Sequence, residues 1–477
     1  MNSLSTISKY LLIFGLAIPC CFSNDAYATT DTDTPDYLHV SMDSVWQYDG
    51  FMSQPMPDDD TWWQTFEEPK LTRLIALAMQ NNYDAKAAFH RIKSAEAQLK
   101  SIYSGYYPTL QANIGFTANR DSGMEEKPYS NGAEQYYSAL GMTAQWEIDI
   151  FGRIAAKAKV GKADVNISRV EYDALMVSLA ANVALQYFQA IMYQRQIQIA
   201  EAHIESQKDI SNIVEAKFNA GLVSALDVSQ TRSVLLTTKA ALPDLKVKHR
   251  TAINTLATLC GTSAADINSF LPEDIMLPDA PYLPGAGCPA DLLRRRPDIV
   301  KAELQLAQLS ARLGISKKEF LPTLSLSADL HVSSHSLSRM FTHDAFEFVI
   351  APTLTWTIFD GLAREKGIIE ARENLESGIQ TYNMTVSSAV ADVNNAMSGI
   401  DASREKLSII EDVVDEYRVM LKLALERYKL GLSDYTDVAN AQEQLLTAQT
   451  NRVTAKYQTL AVLVQLYRAL GGGWNVN

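Results

Sequence analysis

KADVNISRVEYDALMVSLAANVALQYFQAIMYQRQIQIAEAHIESQKDISNIVEAKFNA, from Lys162 to Ala220, runs for 59 residues without a glycine or a proline. Nothing in it breaks a helix. Apolar or small side chains recur at 160, 163, 167, 170, 174, 177, 181, 184, 188 and 191, in alternating steps of three and four. That spacing is the seam of a coiled coil. At about 1.5 Å per residue the stretch predicts a rod roughly 90 Å long, where a typical helix has about 11–12 residues. A globular domain cannot enclose such a rod, so something outside the chain must require its length. Within it, Ala174–Gln194 is an uncharged run of 21 residues, long enough to cross a bilayer. Yet Ser178, Asn182, Gln186 and Gln189 make one polar stripe at helical spacing, and charged helix continues on both sides. The pattern predicts a packed amphipathic rod and not a transmembrane helix.

Ahead of the rod the period changes from helical to alternating. From Thr109 to Asn119, Leu110, Ala112, Ile114, Phe116 and Ala118 alternate with polar residues and Gly115. After a polar loop, a second alternating segment runs to Phe151. Leu140, Met142, Ala144, Trp146, Ile148 and Ile150 share one face, and Gly141, Thr143, Gln145, Glu147 and Asp149 the other. Each segment is about ten residues or more, the length of a strand crossing a bilayer at a tilt. A helix from about Leu71 to Tyr103 enters the strands. A helix from Ser224 to Cys260 returns after a turn at Gly221.

The same order then recurs. Pro108-Thr109-Leu110 returns as Pro322-Thr323-Leu324 (322 − 108 = 214), and Trp146 returns as Trp356 (356 − 146 = 210). Gly221 and Gly431, Asp227 and Asp437, and Gly261 and Gly471 are separated by the same 210 residues. The second copy has its own entering helix (Ile299–Phe320), rod and returning helix (Asp434–Leu470). Each returning helix covers only about half of its rod, so entering and returning helices are expected to stack end to end beside it. Pro352 in the last strand predicts a bulge, and Pro243 a kink in the first returning helix only.

The domain plan is a signal peptide at 1–28, an extended arm at 29–61 and a first repeat at 62–261. A Pro-rich connector at 262–290, a second repeat at 291–473 and a tail at 474–477 follow. Lys9, the apolar core Tyr10–Pro19 and the small-residue site Ala26-Tyr27-Ala28 carry the signal. Cys20 and Cys21 follow the apolar core; one of them as a lipidated N-terminus is the alternative to removal with the signal. Cys260 and Cys288 flank the connector, where a disulfide and two free thiols are both open. Charged residues make up 20% and hydrophobic ones 47% of the chain, which describes a folded protein. The net charge of −13 argues against nucleic acid as a partner.

The signal, the strand length and the polar face opposite an all-apolar one point to a membrane barrel. An open sheet cannot sit in lipid, because its edges hold unpaired backbone groups. Four strands cannot close, and about eight is the practical minimum. The chain is therefore expected to assemble with its copies. Two copies give eight strands and three give twelve, and only the larger leaves an appreciable lumen.

The duplication, Trp62-Trp63 followed by Phe66 and Pro69, Arg295-Arg296-Pro297-Asp298, and the turns at Gly221 and Gly431 resemble the outer membrane factor family of TolC-like and OprM-like efflux ducts. The resemblance covers about residues 62 to 473. It implies a mixed α and β fold: a homotrimer with one twelve-stranded barrel in the outer membrane of a Gram-negative bacterium, continued by a periplasmic helical tunnel. It further implies a periplasmic adaptor and an inner-membrane pump as partners, small-molecule export, and no cofactor. It makes Tyr428 and Asp437 gate residues at the periplasmic tip, with Phe218 and Asp227 in the other copy. The family's second acid falls at Asn440 and its basic latch at Ser433, so the polar links of this gate differ from the family pattern.

A structural account of the same residues stands beside the gate. Ser224 and Asp227 have capping-box spacing, Ser433 or Asp434 can cap the second returning helix, and Gly221 and Gly431 suit left-handed helix stops. Asp434 and Asp437, brought together by three copies, would otherwise form an axial acidic constriction that attracts cations. Arg294-Arg295-Arg296-Pro297-Asp298 is expected to be structural, Pro297 starting a helix with Asp298 in its first turn. His331, His335 and His343 lack firm ligand spacing, and no metal is expected. No nucleophile elbow, phosphate loop, HExxH or CxxC occurs, so no enzyme is expected. The remaining alternatives are a type I secretion duct for polypeptides and an exported coiled-coil scaffold or adhesin.

Overall fold

The computed structural model describes residues 61–120, 134–271, 276–281, 295–334 and 339–472. They belong to one compact unit, Val40–Asn477. The signal segment, Cys20, Cys21, the arm apart from Thr61, Arg294, Cys288, His335 and the tail lie outside the described residues.

The first repeat opens with a 3₁₀ turn, Trp62–Phe66, and the helices α1 (Pro69–Asn81) and α2 (Tyr83–Tyr103). Strands β1 (Thr109–Arg120) and β2 (Glu134–Ile148) follow, then the rod α3 (Arg153–Asn219) and the returning helix α4 (Ala225–Cys260). A short helix α5 (Ala264–Asn268) lies in the connector. The second repeat is α6 (Pro297–Lys318), β3 (Thr323–Ser334), β4 (Phe346–Thr355), the rod α7 (Ala363–Lys429) and α8 (Tyr435–Ala469). Both rods have 67 residues, about 100 Å of helix.

Three expectations are corrected. The first entering helix is two helices, broken at Asn82, whose carboxamide accepts from Ala85 N and donates to the Leu259 carbonyl at 2.9 Å. The first rod starts earlier than the coiled-coil seam suggested and passes through Gly161, where a Cβ would come within 2.7 Å of Ile102. Pro352 makes no bulge: the β3–β4 register runs unbroken from Val332↔Phe346 to Thr323↔Thr355. The pairing Leu326↔Pro352 keeps that register. The connector at 262–290 carries structure of its own in its described part. A capping box of Ser263 and Asp266 starts α5, Leu277 is buried, and Lys70 and Arg404 bind the carbonyls of Leu271 and Pro281. α4 itself runs unbroken through Pro243.

The four strands form one antiparallel sheet in the order β1-β2-β3-β4. Its register lines up the alternation. Ile114, Leu140, Val332 and Phe346 fall in one row, and Ala112, Met142, Leu330 and Phe348 in the next. Ile114 is 85% exposed and Phe348 65%, so this apolar face has no cover within the chain. The opposite face is polar. Asn113 donates to Thr143 at 3.0 Å, and His331 lies between Asp329 and Glu347.

The rods meet the remaining helices around a core at mid-length. Trp62 stacks on Tyr467 at 5.1 Å, and Phe66 packs on Phe188 beside the fully buried Tyr187. The uncharged run of α3 lies here, with Leu179, Val183, Ala184 and Ile191 buried. α3 is the one helix among the described residues long and apolar enough to cross a membrane. Its burial marks it as the central helix of the packed unit, as the polar stripe required.

The duplication holds at atomic detail. Trp146 Nε1 donates to the Tyr106 carbonyl, and Trp356 Nε1 to that of Phe320. The N-caps Asn82 and Arg296 bind the carbonyls of Leu259 and Ala469. A Cβ on Gly261 would strike the Asn81 carbonyl, and one on Gly471 that of Arg295. Each pair keeps the offset of 214 on the entering side and 210 on the other. These contacts also join the end of α4 to the start of α2, and the end of α8 to the start of α6, beside the rods.

Candidate functional site

The far ends of the two helical hairpins carry the predicted gate residues. Both turns stop a rod in the same way. Gly221 and Gly431 take φ of +73° and +71°, and Leu222 N and Leu432 N bond back to the carbonyls of Lys217 and Arg427 at 2.9 Å. A six-to-one bond closed by a left-handed glycine satisfies carbonyls that the helix end leaves open.

Beyond the glycines the two turns diverge. In the first, Ser224 caps α4 and Asp227 completes a capping box, accepting from Ser224 N at 2.9 Å and Ser224 Oγ at 2.8 Å. Asp227 is therefore held as a cap. In the second, Asp434 is the N-cap residue of α8 but its side chain makes no capping bond. Asp434 and Asp437 are both exposed. The Oγ of Ser433 is buried with no hydrogen-bond partner among the described residues, as is Oε1 of Gln442 one helical stretch further on. Unmet buried donors and acceptors are rare in folded chains and call for a reason.

The aromatic residues diverge in the same sense. Phe218 is 43% exposed, while Tyr428 at the matching place is 5% exposed and packs edge-on to Tyr435 at 5.8 Å. Tyr428 and Tyr435 join Ile210, Val214 and Val438 in a small apolar cluster that fastens the ends of α3, α7 and α8 together. The Tyr428 hydroxyl is buried without a partner. Burial, then the charge of Asp227, pushes its pKa above the ordinary tyrosine range, so the neutral form is the one present.

The sequence did not single out Lys217. Its ammonium lies 4.4 Å from the centroid of the Tyr428 ring and donates to the Tyr428 carbonyl at 3.2 Å. It joins the end of α3 to the end of α7 by a cation–π contact and by a charge at a helix C-terminus. A basic residue four places before the stop glycine was the available signal. Arg427 stands at the same place in the other copy.

The remaining candidates fall as follows. Arg296 is the N-cap residue before Pro297, nearly buried, and grips Asp298 at 2.7 Å, Asp392 at 3.0 Å and the Ala469 carbonyl at 3.1 Å. The basic cluster is structural at this residue. Cys260 is a free, fully buried thiol against the Leu74 carbonyl; its possible partner Cys288 lies outside the described residues. His331 pairs with carboxylates on the polar sheet face and His343 sits in a 3₁₀ turn.

The description "outer membrane efflux protein" matches residues 74–262 and 288–472, one match on each repeat. The chain is 28% identical to the pyoverdine export outer membrane protein OpmQ of Pseudomonas aeruginosa, over 99% of this chain and 97% of OpmQ. It is 27% identical to the toluene efflux pump outer membrane protein TtgF of Pseudomonas putida, over 89% of this chain and 87% of TtgF. Its fold superposes on the outer-membrane channel OprN with a TM-score of 0.81 at 27% identity, over 92% of this chain and 99% of OprN. On the CmeC outer membrane channel of Campylobacter jejuni the TM-score is 0.82 at 22% identity, over 89% and 90%.

Proposed function

The chain belongs to the outer membrane efflux protein family, and on that premise we propose that three copies close one twelve-stranded barrel above a helical tunnel. The protein is an outer-membrane exit duct of a tripartite efflux system, with a large periplasmic helical part. Its family is one of ducts and not of enzymes, and its partners are adaptor and inner-membrane pump components. The observation that carries the trimer is the sheet. It has four strands, two unpaired edges and an apolar face open along its length. Lipid can cover that face, but only further strands can satisfy the edges. Three sheets bring the polar face inward around water.

The turns at Gly221 and Gly431 form the inner end of the tunnel, and the second turn carries the gate. Asp434 and Asp437 ring the axis, and Tyr428 with Lys217 holds the two hairpins together in the closed state. Asp227 serves chiefly as a cap. The cargo is a small molecule, as the names of the pyoverdine and toluene relatives indicate for them. The purified protein is expected to run as a heat-resistant trimer in detergent and to give discrete ion-conductance steps in planar bilayers. A soluble monomer without conductance overturns the assembly.

A further inference from the structure

Charge is unevenly placed where the strands meet the rods. In a chain of net charge −13, the stretch from Ile150 to Ala163 holds Arg153, Lys157, Lys159 and Lys162 and no carboxylate. Arg153 is committed to the polar face of the sheet, where its Nε donates to Glu147 at 3.0 Å. Lys157, Lys159 and Lys162 are exposed and make no ion pair among the described residues. The next acids along α3, Asp164 and Glu171, are engaged by Gln308 and Lys301. A helix turns about 100° per residue, so Lys157 leaves α3 about 40° from Arg153, whereas Lys159 and Lys162 leave it about 120° and 180° away. Those two therefore stand on the side of the apolar sheet face. The matching places 210 residues on are Ile369 and Arg372, among Glu365, Glu370 and Glu373. The cationic face belongs to the first repeat alone.

We propose that Lys159 and Lys162 bind the headgroup of an anionic phospholipid whose acyl chains lie on the apolar sheet face above them. This rests on the barrel proposed above and names the lipid that its periplasmic rim selects. Tyr107, just before β1, is 66% exposed, and Trp356, just after β4, is 61% exposed. Both lie at the same end of the sheet, and exposed Tyr and Trp rings take that place at a membrane–water boundary. Lys159 and Lys162 lie about 9 and 14 Å further along α3 than Arg153. Helical side chains lean toward the helix N-terminus, which here is the membrane end, so both ammonium groups reach back toward the headgroups. Two unpaired ammonium groups next to an uncovered apolar face suit a ligand with a negative head and a hydrocarbon body. Each copy offers one such place.

The test is native mass spectrometry of full-length trimers in detergent with an equimolar mixture of phosphatidylglycerol and phosphatidylcholine carrying the same acyl chains. The wild type is expected to retain phosphatidylglycerol preferentially. Lys159→Gln combined with Lys162→Gln should reduce that preference about thirtyfold, since each lysine near an anionic lipid surface contributes about fivefold. Lys157→Gln, on the polar side, should keep the preference, and so should Lys159→Arg combined with Lys162→Arg. Should the double variant fail to assemble, the wild-type trimer is read instead after equilibration at about 0.05 M and about 0.5 M salt. There the preference should fall about tenfold as screening weakens exposed charges. Trimers that conduct but retain both lipids equally, or whose preference survives the double substitution or the salt, overturn the lipid site and leave the duct standing. A wild-type protein that forms no trimer overturns the duct itself.

Discussion

The two rods have the same length and the same place in their repeats, yet twenty-three residues of α3 are buried and only nine of α7. The cause is position. α3 has α1, α2, α4, α6 and α8 packed along it, while α7 has α6 and α8. The polar residues follow the same division. The first repeat uses neutral groups, with Asn82 as N-cap and Asn182 on the rod. The second uses Arg296 and Asp392, a buried guanidinium and its carboxylate. At the far ends the first turn meets its own needs through the Ser224–Asp227 capping box, and the second leaves Tyr428 and Ser433 with unmet hydroxyls. Duplication has thus produced one half that completes the core and one half that leaves surface and polar capacity for something else.

The largest test of that division is at the N-caps. Arg296→Ala would strand the buried carbonyls of Ala389 and Ala469 and leave the half-exposed carboxylates of Asp298 and Asp392 to water, a change that costs about 2–4 kcal/mol. Asn82→Ala removes a neutral cap and one bond to a carbonyl, about 1–2 kcal/mol. The temperature at which the trimer loses its heat resistance should fall much further for Arg296→Ala. Equal falls would break the comparison.

The tips come next in size. Lys217→Ala removes a cation–π contact and a charged hydrogen bond between α3 and α7, together about 1–2 kcal/mol. Roughly tenfold more frequent openings in planar bilayers are expected. Arg427→Ala at the matching place should change little, because Phe218 is not seated in the apolar cluster that holds Tyr428. If the two behave alike, the gate is shared by both turns. Within the acids, Asp437→Ala should raise open-state conductance by removing an exposed charge from the axis. Asp227→Ala should cost about 1 kcal/mol of helix stability and leave conductance as it was.

Much of this was legible in the sequence, because period and repetition are properties of the chain. The 3-4 seam marked the first rod and the repeat its counterpart, alternation marked all four strands, and the Gly and Trp pairs fixed the duplication to the residue. The capping-box spacing of Ser224 and Asp227 marked a real cap. What escaped has a common cause: it depends on partners far away in sequence. The break at Asn82 follows from a bond to Leu259, which no local propensity encodes. Lys217 reads as an ordinary surface lysine until α7 brings the Tyr428 ring beneath it. Pro352 forecast a bulge, yet the β3 register runs through it, because the sequence does not say how a strand pairs on each side. The division of burial between α3 and α7 follows from which helices pack on each rod, which no local pattern encodes.

The smallest expected effect lies where the repeats differ by one buried group. Cys260 and Leu470 stand at matching ends of the returning helices, and both are buried. Burial pushes the Cys260 thiol up from its ordinary 9.0 to about 11. The folded value lies above the unfolded one, so the neutral thiol contributes stability that is fully present below about pH 9. That contribution fades as pH rises through about 11. At pH 7 that contribution is intact, and the folded trimer should shield Cys260 from a chromogenic disulfide reagent until the chain is unfolded. The alkaline loss belongs to the first copy alone, because leucine has nothing to titrate. Replacing Cys260 with Leu should therefore remove that part of the alkaline loss of heat resistance, while the larger side chain costs about 1–3 kcal/mol at neutral pH by overpacking a closed site. An unchanged alkaline profile would assign the loss to the buried tyrosines, Tyr187 and Tyr467 first among them, whose hydroxyls burial also pushes up.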